Sequence, residues 1–354
     1  MRILFLAFFW IGLQISLIFA QDNSLFRVAE LKNSIYDGVF TGNGLLGTMT
    51  YQKSPNTLQI DIGRTDVYDH RKDENYVLFR TPRLPIGHFE LQFESEFKSN
   101  GVIDMDKAFA VANLSNGIQV KTLTLANRDL ICISIKKAIE NQNYKLSFIP
   151  EEAKSPRFNF GYTEKPENYE KNPEYVTSVV NDIKYTSQPL LAGGGYITAY
   201  CQLQNGLEDI YIATVQYSSK DESYVFKAFN DLQSLDIKFL NQEIESHTNW
   251  WKTYNEKSSY SIPDSSLQSF YNMQLYKLAS ATRADKPALD LQGPWTSSTP
   301  WPGYWYNLNM QLTYSPLYTA NRLDIASSLV HMIDKNKEQL IRNVPQEYQY
   351  NSAG

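Results

Sequence analysis

From about residue 25 to residue 228, apolar residues alternate with polar ones at a period of two. The clearest runs are Leu58, Ile60 and Ile62, then Phe89, Leu91 and Phe93, then Ile131, Ile133 and Ile135, then Ile210 and Ile212. Turn signals such as Asn116-Gly117 separate them. Short strands joined by turns predict an antiparallel β-sandwich over residues 21–230. Residues 151–190 alternate poorly and are rich in Glu, Lys, Asn, Tyr and Pro, which predicts a long surface loop.

The period then changes to three and four residues, which indicates helices. A helical linker is predicted over residues 231–262, and Asp264 is suited to cap the start of a second helix. A third helical stretch is predicted over about residues 310–342. Pro316 either kinks or splits that stretch, and Asp324 could restart it.

Residues 263–354 hold two or three amphipathic helices and an aromatic-rich loop. That is too little to close an independent helical core of the usual domain size. Either these helices pack on the sandwich, or the sequence is incomplete. We expect it to be incomplete.

The first twenty residues, MRILFLAFFWIGLQISLIFA, have a positive Arg2, an apolar stretch and a small Ala20. This pattern predicts a cleaved secretory signal peptide over residues 1–20 and a secreted or periplasmic protein with no membrane attachment after cleavage. The alternative is an N-terminal membrane anchor. In an oxidising compartment Cys132 and Cys201 could pair, or they could be two small buried hydrophobic residues.

Composition narrows the class of protein. The 354 residues are 42% hydrophobic and 20% charged, which is typical of a globular chain. The net charge is −5 with no basic block, which argues against a nucleic-acid partner. Two cysteines and four scattered histidines offer no metal scaffold, and we expect neither a metal nor a cofactor. The aromatic content is 14%, and Tyr and Trp rings stack well on sugars.

The run Gly42-Asn43-Gly44-Leu45-Leu46-Gly47 fits the pattern G-x-G-x-x-G. A dinucleotide site would need a helix directly after it. Strand-forming residues from Thr48 to Tyr51 follow instead. We therefore predict a tight turn with close backbone packing.

A second polar motif, DIGRTDVYDHR, brings together Asp61, Asp66, Asp69, His70 and Arg71. Carboxylates beside a histidine could hold a metal or exchange protons. They could equally form a salt-bridged turn between strands.

The most informative segment is LDLQGPWTSSTPWPGYWYNLNMQLTYSP, residues 289–316. Prolines and Gly303 exclude a regular helix across its first half. Such an aromatic loop is either buried by a partner domain or lines a ligand cleft. The candidate substrate-binding residues are Trp295, Trp301, Trp305 and Tyr306.

Asn307 and Asn309 follow the aromatic loop. On extended backbone two such residues share one side, so both amides could converge on one small target. A neutral amide cannot be a general base, but it can orient a water or a sugar hydroxyl. The alternative is that these asparagines cap the entry to a helix.

Several motifs together resemble glycoside hydrolase family 95, the inverting α-L-fucosidases and α-L-galactosidases, and its bacterial relatives. They are the GNGLLGTM run, a linker helix with His247 and Trp250-Trp251, and the segments YNMQLYKLASATR, LDLQGPW and YNLNMQLTYSP. The resemblance is strong from about residue 240 to residue 354 and loose before that. Ser315 stands where many relatives carry Trp.

The resemblance implies a supersandwich followed by an (α/α)6 toroid, of which residues 263–354 are the start. It also implies inversion, in which a Glu protonates the leaving oxygen and a carboxylate about 6.5–9.5 Å away activates water. Asn307 and Asn309 match the pair that positions this water, and we take both as catalytic candidates. The family's acid and base lie further along the chain and have no match here.

Three functions are therefore open. The first is a fragment of a secreted, cofactor-free glycoside hydrolase that removes terminal sugars such as α-L-fucose from glycans. The alternative is a non-catalytic secreted carbohydrate-binding β-sandwich, whose trailing helices cap it. The third is a structural or adhesive surface protein.

Overall fold

A computed structural model describes residues 24–71, 76–161, 164–295 and 299–351. The predicted signal peptide, residues 1–20, lies outside the described residues, so it stays a prediction.

Within these ranges the chain forms fourteen strands, which are β1 (Leu25–Val28), β2 (Val39–Gly42), β3 (Leu46–Ser54), β4 (Thr57–Arg64), β5 (Gly87–Phe93), β6 (Ser99–Asp104), β7 (Phe109–Leu114), β8 (Gln119–Thr124), β9 (Leu130–Lys136), β10 (Tyr144–Pro150), β11 (Val176–Val180), β12 (Ile183–Pro189), β13 (Gly195–Gln204) and β14 (Glu208–Ser218). The same ranges contain the helices α1 (Val77–Arg80), α2 (Ser223–Gln233), α3 (Ile237–Glu256), α4 (Ser265–Ala281), α5 (Leu308–Thr319) and α6 (Leu323–Arg342). Short 3₁₀ helices span Ile35–Asp37, Pro156–Asn159 and Gln346–Asn351.

The strands form two antiparallel sheets. One has nine strands in the order β1-β6-β7-β8-β9-β14-β13-β12-β11, and the other has five in the order β10-β5-β4-β3-β2. The alternating runs found in the sequence fall on β4, β5, β9 and β14. Residues from both sheets share one buried core, including Ile60, Phe89, Ile133 and Val215. The predicted antiparallel sandwich followed by helices is therefore confirmed.

The prediction of a loop throughout residues 151–190 is wrong, because β11 and β12 form a hairpin there. Its turn residues Asn181 and Asp182 have φ angles of 48° and 64°, the left-handed conformation of the tightest hairpin turns. β11 is the sheet edge and is largely exposed, so burial imposes no apolar alternation on it.

The helices lie close to the stretches predicted from the sequence, but they begin and end at different residues. The first helical stretch begins before residue 231 and consists of two helices, α2 and α3. At the start of α3, the Asp236 carboxylate accepts a hydrogen bond from Phe239 N–H at 2.6 Å. Asp264 caps α4 as predicted. The third stretch is split after Thr319, while Pro316 lies inside α5 and Asp324 lies in the first turn of α6.

The helices do not form a separate core. α2 and α3 cover the outer face of the nine-stranded sheet, where Tyr224, Leu232 and Leu240 join a buried cluster with Ile197 and Ile212. Buried side chains of α3 to α6 belong instead to the core of the sandwich itself. The trailing helices therefore pack on the sandwich. None of the described helices is long and apolar enough to cross a membrane.

Cys132 and Cys201 lie on strands separated by β14, and each pairs across the sheet with Ile212. Two strand spacings of about 4.8 Å place their Cα atoms roughly 10 Å apart, which is beyond disulfide reach. Both thiols are free, with Cys132 buried and Cys201 half-buried. This favours the expectation that the two cysteines serve as small hydrophobic residues and do not form a disulfide.

Candidate functional site

The glycine motif forms the joint between the sandwich and α4. Asn43 Oδ1 accepts hydrogen bonds from the N–H groups of Leu45 and Leu46 at 3.0 and 2.8 Å, which closes the turn. A Cβ atom on Gly42 would lie 2.4 Å from the carbonyl oxygen of Ser280, at the C-terminal end of α4. The predicted tight turn with close backbone packing is confirmed.

The acidic motif is not one cluster. Asp66 pairs with Arg64 at 2.7 Å and Asp69 pairs with Arg71 at 3.0 Å, so this part forms a salt-bridged turn. Asp61 lies apart from them on β4, on the opposite side of the strand from the buried Ile60 and Ile62. Among the described residues, no group of three or more His, Cys, Asp or Glu side chains is arranged to hold a metal.

The start of the aromatic loop is fastened to the sandwich by a buried ion pair. Arg83 Nη1 lies 3.1 Å from Asp290 Oδ2, and both side chains are almost fully buried. Asp290 Oδ1 also accepts from the N–H groups of Gln292 and Gly293, each at 2.8 Å. The Tyr68 hydroxyl donates to Asp290 at 3.2 Å, and burial together with the Asp290 charge raises the pKa of Tyr68. The turn before Trp295 is thereby fixed.

Trp295 points into the protein. It is 8% exposed, its Nε1 donates to the Thr41 carbonyl at 3.0 Å, and its ring meets Phe40 edge-on at 4.8 Å. These contacts favour a role in holding the loop. Its predicted role in sugar binding stays a prediction without support from this position.

Trp301 and Trp305 lie nearer the surface, in the second half of the loop. Trp301 is 39% exposed, meets Trp305 edge-on at 4.6 Å and lies 4.8 Å from the guanidinium of Arg157. Arg157 also donates to the Pro300 carbonyl, which fixes the backbone beside Trp301. Among the described residues, the buried Trp305 Nε1–H has no hydrogen-bond acceptor. The loop therefore presents one fixed, open indole.

Tyr306, Asn307 and Asn309 are all exposed at the start of α5. Asn307 has helical backbone angles of −94° and −44°, and Asn309 lies inside the helix. The expectation that an extended backbone places both amides on one side is therefore wrong, because residues two apart on a helix face different directions. Asn307 occupies the N-cap position, but its side chain makes no capping hydrogen bond. Their catalytic role stays a prediction.

A cavity of about 560 Å³ lies on the outer face of the five-stranded sheet and was not predicted from the sequence. Tyr51, Gln59, Asp61 and His88 line it, on β3, β4 and β5. Gln59 Nε2 donates to Tyr51 Oη at 2.7 Å and to Asp61 Oδ1 at 2.6 Å. Burial raises the pKa of Asp61, and the Gln59 hydrogen bond opposes that rise. The sequence does carry a signal for this polar floor, because its residues alternate with buried apolar residues along the strands.

No known family's sequence model and no curated protein matches the chain. Among solved structures, one from the human microbiome, assigned as a kojibiose phosphorylase, is similar with a TM-score of 0.49 and 11% identity, over 74% of this chain and 41% of that one. A glycosyl hydrolase of family 92 is similar with a TM-score of 0.39 and 10% identity, over 88% and 48%. The chain thus spans less than half the length of either structure. Likenesses this weak identify neither a family nor a substrate.

Proposed function

We propose that this chain is the N-terminal part of a secreted, inverting glycoside hydrolase that removes terminal sugars such as α-L-fucose. The observation that carries the proposal is the exposed Trp301 ring, held between Trp305 and Arg157 on a loop fastened to the sandwich. A fixed aromatic face is what the apolar face of a sugar ring stacks on. The resemblance of this loop and the following helix to family 95 gives the reaction class.

The Trp305 N–H, which has no acceptor within the part of the chain that the structure describes, adds to this argument. A buried donor without an acceptor costs about 1–3 kcal/mol, so such groups in native proteins call for an explanation. A sugar hydroxyl or a water that accompanies it would supply the missing acceptor.

Asn307 and Asn309 supply neutral amides at the edge of the same loop. Their exposure leaves both side chains open to a ligand. Because the two side chains face different directions, we assign each amide its own target, the attacking water or a sugar hydroxyl, while proton transfer falls to carboxylates outside the matched segments.

The helices also expose large apolar side chains, namely Leu308, Leu312, Leu323, Val330 and Ile333. Exposed apolar residues in such number favour cover by further structure. We propose that this cover is the remainder of a helical toroid, which would carry the acid and the base.

The test is hydrolysis of an aryl α-L-fucoside by the product of the complete gene, with NMR detection of the anomer released first. The β anomer is expected, because inversion changes the configuration. Asn309→Ala should lose most turnover while its thermal unfolding stays as in the wild type. Asn336→Ala, an exposed asparagine on α6, is the matched control and should keep full turnover. Release of the α anomer, or full turnover in Asn309→Ala, would contradict the proposal, and sugar binding without hydrolysis would favour the non-catalytic alternative.

A further inference from the structure

The cavity on the five-stranded sheet is lined by a different set of residues from those around the exposed Trp301 indole, although Gln292, near the start of the aromatic segment, reaches its lining. Its floor is the outer face of β3, β4 and β5, and its walls are the segment that follows β10 and the 3₁₀ helix Ile35–Asp37. A volume of about 560 Å³ lies within the range of about 300–1,000 Å³ found for small-molecule sites.

The floor is a connected polar network. The antiparallel register places Tyr51 opposite Gln59 and Asp61 opposite His88. His88 Nδ1 lies 3.4 Å from the carboxylate of Glu151, on the wall. Hydroxyl, amide, carboxylate and imidazole groups therefore stand side by side, and they offer both donors and acceptors.

The rim carries an exposed aromatic ring. Tyr36 is 88% exposed, although its backbone is held in a 3₁₀ turn where Ser34 Oγ accepts from Tyr36 N–H at 3.2 Å. A ring so exposed contributes little to the core, and it stands at the edge of the polar cavity. An aromatic ring beside a floor of hydrogen-bond donors and acceptors suits a ligand that has an apolar face and many hydroxyl groups.

The charges of the lining disfavour an anionic ligand. Arg83 is engaged by Asp290, and Lys154 lies 3.4 Å from Glu152. Asp61 and Glu151 remain beside the floor, so an anionic ligand would meet two carboxyl groups.

From this geometry we propose that the cavity is a second binding site, which takes one neutral sugar unit between the Tyr36 ring and the Gln59–Asp61 floor. Its floor belongs to the sandwich, and binding there does not depend on hydrolysis at the aromatic loop. The site therefore goes beyond the proposed enzymatic function.

The test is an NMR titration of the purified protein with D-glucose, D-galactose, D-mannose and L-fucose, and with D-glucuronate as the anionic counterpart of glucose. At least one neutral sugar should bind, and glucuronate should bind about tenfold more weakly than glucose or not at all. No binding by any of the four neutral sugars, or tighter binding of glucuronate, would overturn the proposal.

Substitutions of the cavity residues test whether the sugar binds in the cavity. Tyr36→Ala should weaken it at least fivefold and Tyr36→Phe should keep it, because stacking needs the ring and not the hydroxyl. Asp61→Asn should weaken it about tenfold, as expected for lost hydrogen bonds to a carboxylate. Tyr260→Ala, an exposed tyrosine outside the cavity lining, is the matched control and should bind normally.

Two further variants keep this proposal distinct from the enzymatic one. Trp301→Ala should leave binding in the cavity unchanged, and Tyr36→Ala should leave fucoside hydrolysis unchanged. Binding that survives Tyr36→Ala and Asp61→Asn but is lost in Trp301→Ala would place the sugar at the aromatic loop and overturn the second site.

Discussion

Arg83 and Asp290 form a buried ion pair between residues 207 positions apart, and this pair attaches the aromatic loop to the sandwich. The guanidinium also donates to the carbonyls of Gly293 and Trp295, while the Arg83 backbone N–H donates to the Pro302 carbonyl at 3.0 Å. Both halves of the loop thus depend on one arginine. A loop held in this way can present Trp301 without first being ordered by its ligand, which lowers the entropic cost of binding.

Removing one member of this pair should be costly. Asp290→Asn leaves the Arg83 charge buried without its counter-ion, and we expect a loss of about 3–5 kcal/mol in the free energy of unfolding. Urea denaturation followed by tryptophan fluorescence measures it. The control is Lys252→Met in the exposed pair with Glu256, which should change the free energy by less than about 0.5 kcal/mol. Equal effects in the two variants would show that the buried pair is not what holds the loop.

Gly42→Ala tests the joint between the sandwich and α4. The added methyl group would collide with the backbone oxygen of Ser280, which cannot move without shifting the helix. We expect a loss of about 1–3 kcal/mol, as for other overpacked sites. Gly303→Ala is the control, because nothing lies within 4 Å of its Cβ position, and it should be neutral or slightly stabilising. A Gly42→Ala protein as stable as the wild type would contradict the close contact.

His247 should make stability depend on pH. Its Nδ1 accepts from Ala126 N–H at 3.0 Å and its Nε2 donates to the Lys107 carbonyl at 2.9 Å, so the buried ring is neutral. Burial, reinforced by the nearby Arg283 charge, lowers the pKa of His247 to about 4. Between that value and the unfolded pKa of about 6.5, the unfolded chain binds the extra proton. The stabilisation is therefore full above about pH 6.5 and is lost as the pH falls towards 4.

The measurement is the free energy of unfolding of the wild type and of His247→Gln at pH 7.5 and 4.5. The variant should be clearly less stable at pH 7.5, and its deficit should shrink by about 2–3 kcal/mol at pH 4.5. A deficit that is the same at both pH values would mean that His247 does not titrate in this range.

The two cysteines should remain reduced. The strand between Cys132 and Cys201 holds their backbones too far apart for a disulfide, and burial raises the pKa of Cys132 to about 12. Titration of the unfolded, non-reduced protein should find two thiols per chain. In the folded protein at pH 8, iodoacetamide should modify Cys201 faster than Cys132, because Cys201 is only half-buried. A disulfide-linked peptide in a mass-spectrometric digest would contradict the register of β9, β14 and β13.

The parts of the fold that the sequence predicts are those with one buried face. β4 and β5 alternate because Ile60 and Phe89 point into the core while Gln59 and His88 point out. β11 is not predicted, because an exposed edge strand has no buried face that requires alternating apolar residues. The cavity escapes detection because its floor depends on the pairing of Asp61 with His88, two residues whose proximity no local pattern encodes.

The composition of residues 289–316 predicts an aromatic loop, but it does not predict the direction in which each tryptophan side chain points. Trp295 and Trp301 are alike in sequence context, each following a proline or lying between two. Only the packing of the folded chain makes their positions differ. Trp295 packs beside Phe40 and Thr41 in the interior. Trp301 lies against Arg157 at the surface. The helical conformation of Asn307 likewise follows from the start of α5 and not from the motif.

The measurement that tests the central claim most directly is the binding of an α-L-fucosyl oligosaccharide by isothermal titration calorimetry, with the wild type and Trp301→Ala compared. Circular dichroism would show that the variant is folded, which we expect because the ring is partly exposed. The account predicts that loss of the indole weakens binding about tenfold, in line with the energy of an aromatic stacking contact. Equal affinity in the two proteins would show that the aromatic loop does not bind the sugar.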